Sequence, residues 1–321
     1  MELWDAHRRI YHQYLFNGRA ILQNSRHQTL AKCRLRAKAK WSWDHLHGDG
    51  RWILHLDQDK QIWQYFTQHW QDWFPAIGSY PNFAKHCANL WQVKQQIQDK
   101  VSELEGRDNI HFMDGFPIPV CHYGRAYRHK NYQDLAAFSY CAAKQERYYG
   151  FEGHLLVNLS GMIKGFTFAP ANVDERAVAP EITTHIHGLL SADKGYISPS
   201  LTSYYDAQGV DLQTPLRANM KEDRPKPVVR RLMKARRIVE TVIGQLSERF
   251  NIQRVRARDL WHLSHRLIRK ILSHNLCFVL NKKLGNPPLQ FDLLISSWEW
   301  GILKDTLSCL FYYEKFCCSQ I

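Results

Sequence analysis

Three carboxylates stand out by position. Asp114 and Asp193 each sit where a short apolar run gives way to a turn, Ile110-His111-Phe112-Met113 before the first and Leu189-Leu190-Ser191-Ala192 before the second. Side chains at such strand ends leave the packed layer and converge on a crevice, where α/β proteins place ligands and catalytic groups. Glu240 lies in a long helical pattern, at the edge of the apolar arc Leu232, Met233, Val239, Ile243, Leu246 and Phe250. An unpaired carboxylate beside an apolar face costs desolvation energy. Taken singly, the two aspartates also fit turn or helix-capping roles, and Glu240 fits an ion pair with Arg236 one turn earlier. Taken together, three carboxylates in one crevice can hold two Mg²⁺ ions, hard cations that prefer oxygen ligands, with Mn²⁺ as a substitute. Such a pair stabilises the attacking and leaving oxygens of an in-line phosphodiester displacement.

The charge points to a matching substrate. The 321 residues carry 43 Lys+Arg and 30 Asp+Glu, a formal net charge of +13. Between Leu216 and Lys283 there are 18 basic and 5 acidic residues, so this one segment accounts for the whole excess. A concentrated positive field favours a polyanion. Nucleic acid is favoured over a membrane surface, since no lipidation motif or amphipathic anchor accompanies the charge. Lys194, directly after the second aspartate, and Arg236, Arg237, Arg249, Arg254, Arg256 and Arg258 are the candidate phosphate contacts. They would position DNA without reading its sequence. Arg266, Arg269 and Lys270 extend the same surface.

Elements of both types must position these groups. Helical periodicity begins at Gln61, with Ile62, Trp63, Phe66, Trp70 and Trp73 recurring until Pro75, and resumes from Asn82 to Leu104. These tryptophans read as core of a small helical module. Strands are expected at 110–113, 149–158, 163–168, 189–192 and 210–216, helices near 172–182, 199–208 and 228–250, and a hairpin turn at 159–162. That order is a mixed α/β arrangement. His154 reads as a hydrogen-bonded sheet histidine, with contact to a DNA strand as the alternative. Cys121, His122 and His129 lack zinc-finger spacing. The eight cysteines form no C-x-x-C pair, and no apolar run is long enough to span a bilayer, so a reduced cytoplasmic protein is expected.

The segments IHFMDGFPIPVCHYGR, YYGFEGHLLVNLSGMIKGFTFAPANVDER, SADKGYIS and RRIVETVIGQL resemble successive blocks of the DDE transposases of bacterial insertion sequences, most closely the insertion sequence 982 group. The likeness runs from about Gln61 to Ile295 and is strongest from Ile110 to Leu246. It implies an RNase H-like mixed sheet with flanking helices. The first Asp would lie on the first strand, the second after the fourth, and the Glu on the helix after the fifth, giving Asp114, Asp193 and Glu240 as catalytic and metal-binding residues. The implied activity is cleavage at element ends and strand transfer into target DNA, near the nucleoid, by a protein that oligomerises when it pairs two ends. An RNase H-like nuclease without strand transfer, or a decayed copy that only binds DNA, are the alternatives. Gly115 stands where such enzymes often carry a small hydroxyl residue. The implied organisation is a basic segment at 1–57, the helical module at 58–106, the catalytic domain at 107–295, and a tail at 296–321 outside the resemblance.

Overall fold

The computed structural model describes residues 58–296 except 70, 72–74, 107 and 143. Trp70, Trp73, the basic segment 1–57 and the tail beyond 296 therefore lie outside the described residues. Residues 58–64 and 78–296 fall within one compact unit, while the remaining described residues, between 65 and 77, group with a second.

A helical layer opens the described chain: α1 (Asp59–His69), α2 (Tyr80–Asn89) and α3 (Trp91–Glu105). The single helix expected from Asn82 to Leu104 is two helices. Leu90 breaks it with φ −92° and ψ 15°, and the Lys94 ammonium donates to the Cys87 carbonyl at 2.9 Å, satisfying one of the acceptors a helix end leaves open. Neither a glycine nor a proline marks the break. Packing decides it, because both pieces lie against one later helix, α7 (Leu260–Lys283), where Trp91 meets Trp261 edge to face at 6.0 Å.

The sheet has six strands. They are β1 (Ile110–Cys121), β2 (Ala137–Cys141), β3 (Glu146–Asn158), β4 (Ile163–Pro170), β5 (Gly188–Ser191) and β6 (Val210–Gln213). Their order is β2-β3-β1-β5-β6, and β4 shares with β2 the far edge of β3. Pairing is antiparallel among β1 to β4 and parallel from β1 to β5 to β6. This curled mixed sheet with flanking helices is compatible with an RNase H-like fold. Setting aside β2, which sequence reading missed, Asp193 follows the fourth strand and Glu240 sits on the helix after the fifth. Central β3 is buried along nearly its whole length, as expected of a strand covered on both faces.

Between the strands run α4 (Glu175–Ile182) and α5 (Pro199–Asp206), followed after β6 by α6 (Lys226–Glu248) and then α7 and α8 (Leu293–Ser296). Helices α4 and α5 each start at a side-chain cap, Asp174 and Ser198. On α6 the buried residues Arg236, Val239, Val242 and Leu246 form one stripe at three-to-four spacing. Its apolar members join Phe112, Phe116 and Leu155 of the sheet and Leu267 and Ile271 of α7 in the main core. A second core cluster on the opposite side of β1 and β3 gathers Met113, Leu156, Ala179, Tyr196 and Tyr205.

The β3–β4 turn is pinned from outside the sheet. Asn275 of α7 accepts from the Ile163 amide at 3.0 Å and donates to its carbonyl at 2.8 Å, and Gln98 of α3 donates to the same carbonyl at 3.0 Å.

Candidate functional site

Asp114 lies within β1, not at its end. The run Gly-Phe-Pro-Ile-Pro reads as a turn, yet β1 continues through it to Cys121. Register explains the two prolines. The Asn109 carbonyl accepts from the Leu189 amide on the β5 side, so odd-numbered residues of β1 direct their backbone groups to that side. Pairing with β5 stops at Phe112. Pro117 and Pro119 therefore forfeit no ladder bond. Asp114 itself is opposite Leu155 and shares the face of Phe112 and Phe116, which is the face that α6 covers.

Asp193 lies just beyond the end of β5, which runs parallel beside β1, the strand that carries Asp114. Arg236 of α6 reaches both. One guanidinium nitrogen lies 3.0 Å from an Asp193 oxygen and another 3.3 Å from an Asp114 oxygen. The expected Arg236–Glu240 pair is absent because Arg236 points inward along the buried stripe, 10% exposed, while Glu240 turns outward. Asp114 also accepts from the Gly115 amide at 2.9 Å. Burial raises its pKa; Arg236 opposes that, and Asp193 and Glu240 reinforce it.

Two further carboxylates crowd this region that sequence reading did not single out. Glu152 of β3 lies opposite Pro117, on the other face of the sheet, and reaches toward Gly115. A Cβ placed on Gly115 would stand 3.1 Å from the Glu152 carboxylate. Likewise a Cβ on Gly195 would stand 3.1 Å from Glu175, the first residue of α4. The glycines next to the two aspartates thus leave room for two acids. Burial, then Glu175, then Asp114 push the Glu152 pKa up to about 7. Glu175 is raised as well, by burial first and then by Asp114. Tyr196, fully buried with its hydroxyl beside Glu175, completes the cluster. The signal available in the sequence was the pair of glycines, Asp-Gly and Asp-Lys-Gly.

His154 is 1% exposed with both ring nitrogens unpartnered, contrary to the hydrogen-bonded role expected of it, and burial lowers its pKa to about 4. It is held as a neutral ring inside the sheet.

The candidate phosphate contacts divide. Lys194, Arg237, Arg254, Arg256 and Arg258 are exposed and form no ion pair. Arg236 is committed to the aspartates, and Arg249 to Asp292 at 2.7 Å. Arg266 and Arg269 both hold the buried Asp59, and Lys270 is buried with its ammonium on the Phe250 carbonyl. These cations neutralise interior acceptors, so the irregular arginine run is only partly a surface. On α6 three further exposed cations join the expected Arg237: Lys226, Arg230 and Lys234 lead with it, at three-to-four spacing, along the helix toward Glu240.

The donor chemistry, oxygen on oxygen, suits a hard divalent cation. Among the described residues, however, no group of three or more His, Cys, Asp and Glu side chains is gathered as a metal site. Two aspartates are bridged by a guanidinium, and Glu240, exposed on α6, is near enough to act on the Asp114 charge. This arrangement places one positive charge between an acid on β1 and one just beyond β5, under a helix whose exposed cations lead toward Glu240.

Residues 105–260 match the Transposase DDE domain family. The match supports a DDE transposase, and DNA as its partner. It spans β1 to the start of α7, so Asp114, Asp193, Arg236 and Glu240 all lie inside the matched domain. No curated protein and no solved structure matches the chain.

Proposed function

We propose that the chain is a DNA transposase that cleaves at the ends of an insertion sequence of the 982 group and joins the freed 3′ end to target DNA. The observation that carries this reading is the Arg236 bridge, which brings together Asp114 and Asp193, 79 positions apart, around one cationic centre. Asp114, Asp193 and Glu240 are the residues that would hold divalent metal, taken here as Mg²⁺. When bound, the metal would polarise the scissile phosphate and lower the pKa of the attacking water.

The chain's own groups supply the rest. Arg236 opposes the burial that raises the Asp114 pKa and orients both aspartates, since a guanidinium offers a planar pair of donors that an ammonium does not. Lys194 and the α6 stripe hold the phosphate backbone on either side of the carboxylates and fix the scissile bond by position alone. Both chemical steps are in-line displacements at phosphorus, with a water as the first nucleophile and the 3′-hydroxyl as the second. Neither needs a covalent enzyme intermediate.

The test uses the full chain, DNA from either side of its own gene, and Mg²⁺ or Mn²⁺. Wild type yields nicked ends and joined products. Asp193→Asn and Glu240→Gln lose both while still binding the duplex. Nicking without joined product would assign a nuclease of the same fold instead, and metal-independent binding alone would assign a catalytically inert DNA-binding protein.

A further inference from the structure

Away from the carboxylates, the segment from Tyr123 to Arg147 exposes aromatic rings together. Tyr127 is 81% exposed, Tyr140 56% and Phe138 43%. Along β2 the residues alternate in exposure, but Phe138 and Tyr140 occupy the outward positions where polar side chains are expected. Phe138 is the hub: its ring lies 4.8 Å from Tyr149, 5.2 Å from Tyr127 and 5.9 Å from Tyr123. Tyr149 anchors the group, buried and donating its hydroxyl to the Tyr132 carbonyl at 3.1 Å. The rings are therefore braced from behind and open in front.

Their neighbours are cationic. Arg125, Arg128, Lys130 and Arg147 are exposed and engaged in no ion pair, against the two exposed acids Asp134 and Glu146. Arg147 lies directly opposite Tyr140 across the β2–β3 ladder. The large exposed apolar residues of this segment are aromatic, with no aliphatic among them. Planar rings mixed with free guanidinium groups fit bases and phosphates, which stack and pair with them; an apolar protein surface would find no aliphatic complement.

Register ties the patch to the candidate site. Tyr149, opposite Phe138, and Leu155, opposite Asp114, are both odd-numbered residues of β3 and share one face of the sheet. Six residues of strand separate them, roughly 20 Å. A duplex covers that distance in about six base pairs.

We propose that the Tyr127–Phe138–Tyr140 patch, with Arg125, Arg128 and Arg147, binds unpaired bases of the DNA, about six positions from the phosphate acted on at Asp114 and Asp193. This rests on the transposase reading and adds to it a preference for frayed or single-stranded DNA. Cleaved ends with unpaired nucleotides are the species such a surface would retain.

The experiment compares the affinity of the full chain for a labelled single strand and for the matching duplex, and maps photo-cross-links from 5-iodouracil in the single strand. The double variant Tyr127→Ala/Tyr140→Ala is expected to bind the single strand roughly 5- to 100-fold more weakly, the worth of one or two lost base stacks. Its duplex affinity stays at the wild-type value, and its melting temperature changes little, since both side chains are mostly exposed and Tyr127 gives up only its contact with Phe138. Tyr127→Trp retains single-strand binding, Arg128→Gln weakens both forms, and wild-type cross-links map between Tyr123 and Arg147. Unchanged single-strand binding by the double variant would overturn the proposal while leaving duplex binding, and the transposase reading, intact. A wild-type oligomer that dissociates on the same double substitution would also overturn it, assigning the patch to self-association. Failure of wild type to bind DNA in either form would remove both readings.

Discussion

At the scale of single residues, Arg236 decides the electrostatics. Its partners are 43 and 122 positions away in sequence, so the local pattern, which offers only Glu240 or a phosphate, does not show them. Without the guanidinium, two aspartates face each other with no compensating charge. Arg236→Gln is expected to destabilise the fold by about 2 kcal/mol in urea unfolding, below the usual cost of breaking a buried pair because Asp193 is half exposed. Millimolar divalent cation should raise the melting temperature of this variant more than that of wild type, because a metal can take the vacated position between the acids. Glu152 makes a separate prediction. A carboxyl held up at about 7 in the folded chain binds a proton there that the unfolded chain releases near its ordinary value of 4.5. Its contribution to stability is complete below about 4.5 and is lost as pH rises through about 7. Thermal melts at pH 5 and pH 8 should show wild type losing more stability on alkalinisation than Glu152→Gln. Equal losses in the two proteins would show that Glu152 titrates normally.

Among the elements, β1 and α6 carry the site and α7 holds the frame. Asn275→Ala would leave the buried Ile163 amide without its acceptor while Gln98 still serves the carbonyl. A loss of about 1–3 kcal/mol is expected by urea unfolding, the cost of one orphaned buried donor. The sequence made most elements legible because their periods are clear, as in the apolar core of β3; on α6 the apolar arc was right at Val239 and Leu246 but took in Met233, which is exposed, and missed Val242, which is buried. It misled where local signals conflict with tertiary ones. Gly-Phe-Pro-Ile-Pro has the composition of a turn and is a strand because one edge of β1 has no partner there to miss the amides. Strand β2 was overlooked because its aromatics face outward, inverting the pattern by which a half-buried strand is recognised. The aspartates were legible as residues; the charge that binds them and the acids behind them required the fold.

For the molecule as a whole, the net charge is not a uniform coat. Part of the basic segment neutralises interior groups, Asp59 above all, which is fully buried and bonded to Arg266, Arg269 and His265. What remains outward on α6 is directed toward Glu240. The logarithm of duplex affinity should fall linearly with the logarithm of salt concentration, and Arg230→Gln with Lys234→Gln should reduce the slope by about 2. Replacing Arg266 should instead unfold the protein before it alters the slope. No helix among the described residues is long and apolar enough to cross a membrane.

The central claim is that Asp114 and Asp193 act as one metal-dependent centre on DNA. It is tested most directly by the joining of a precleaved element end, bearing a free 3′-hydroxyl, to a supercoiled plasmid in Mg²⁺. Wild type is expected to produce joined molecules and Asp114→Asn to produce none while binding the end with unchanged affinity. Joining by Asp114→Asn at the wild-type rate would contradict the account.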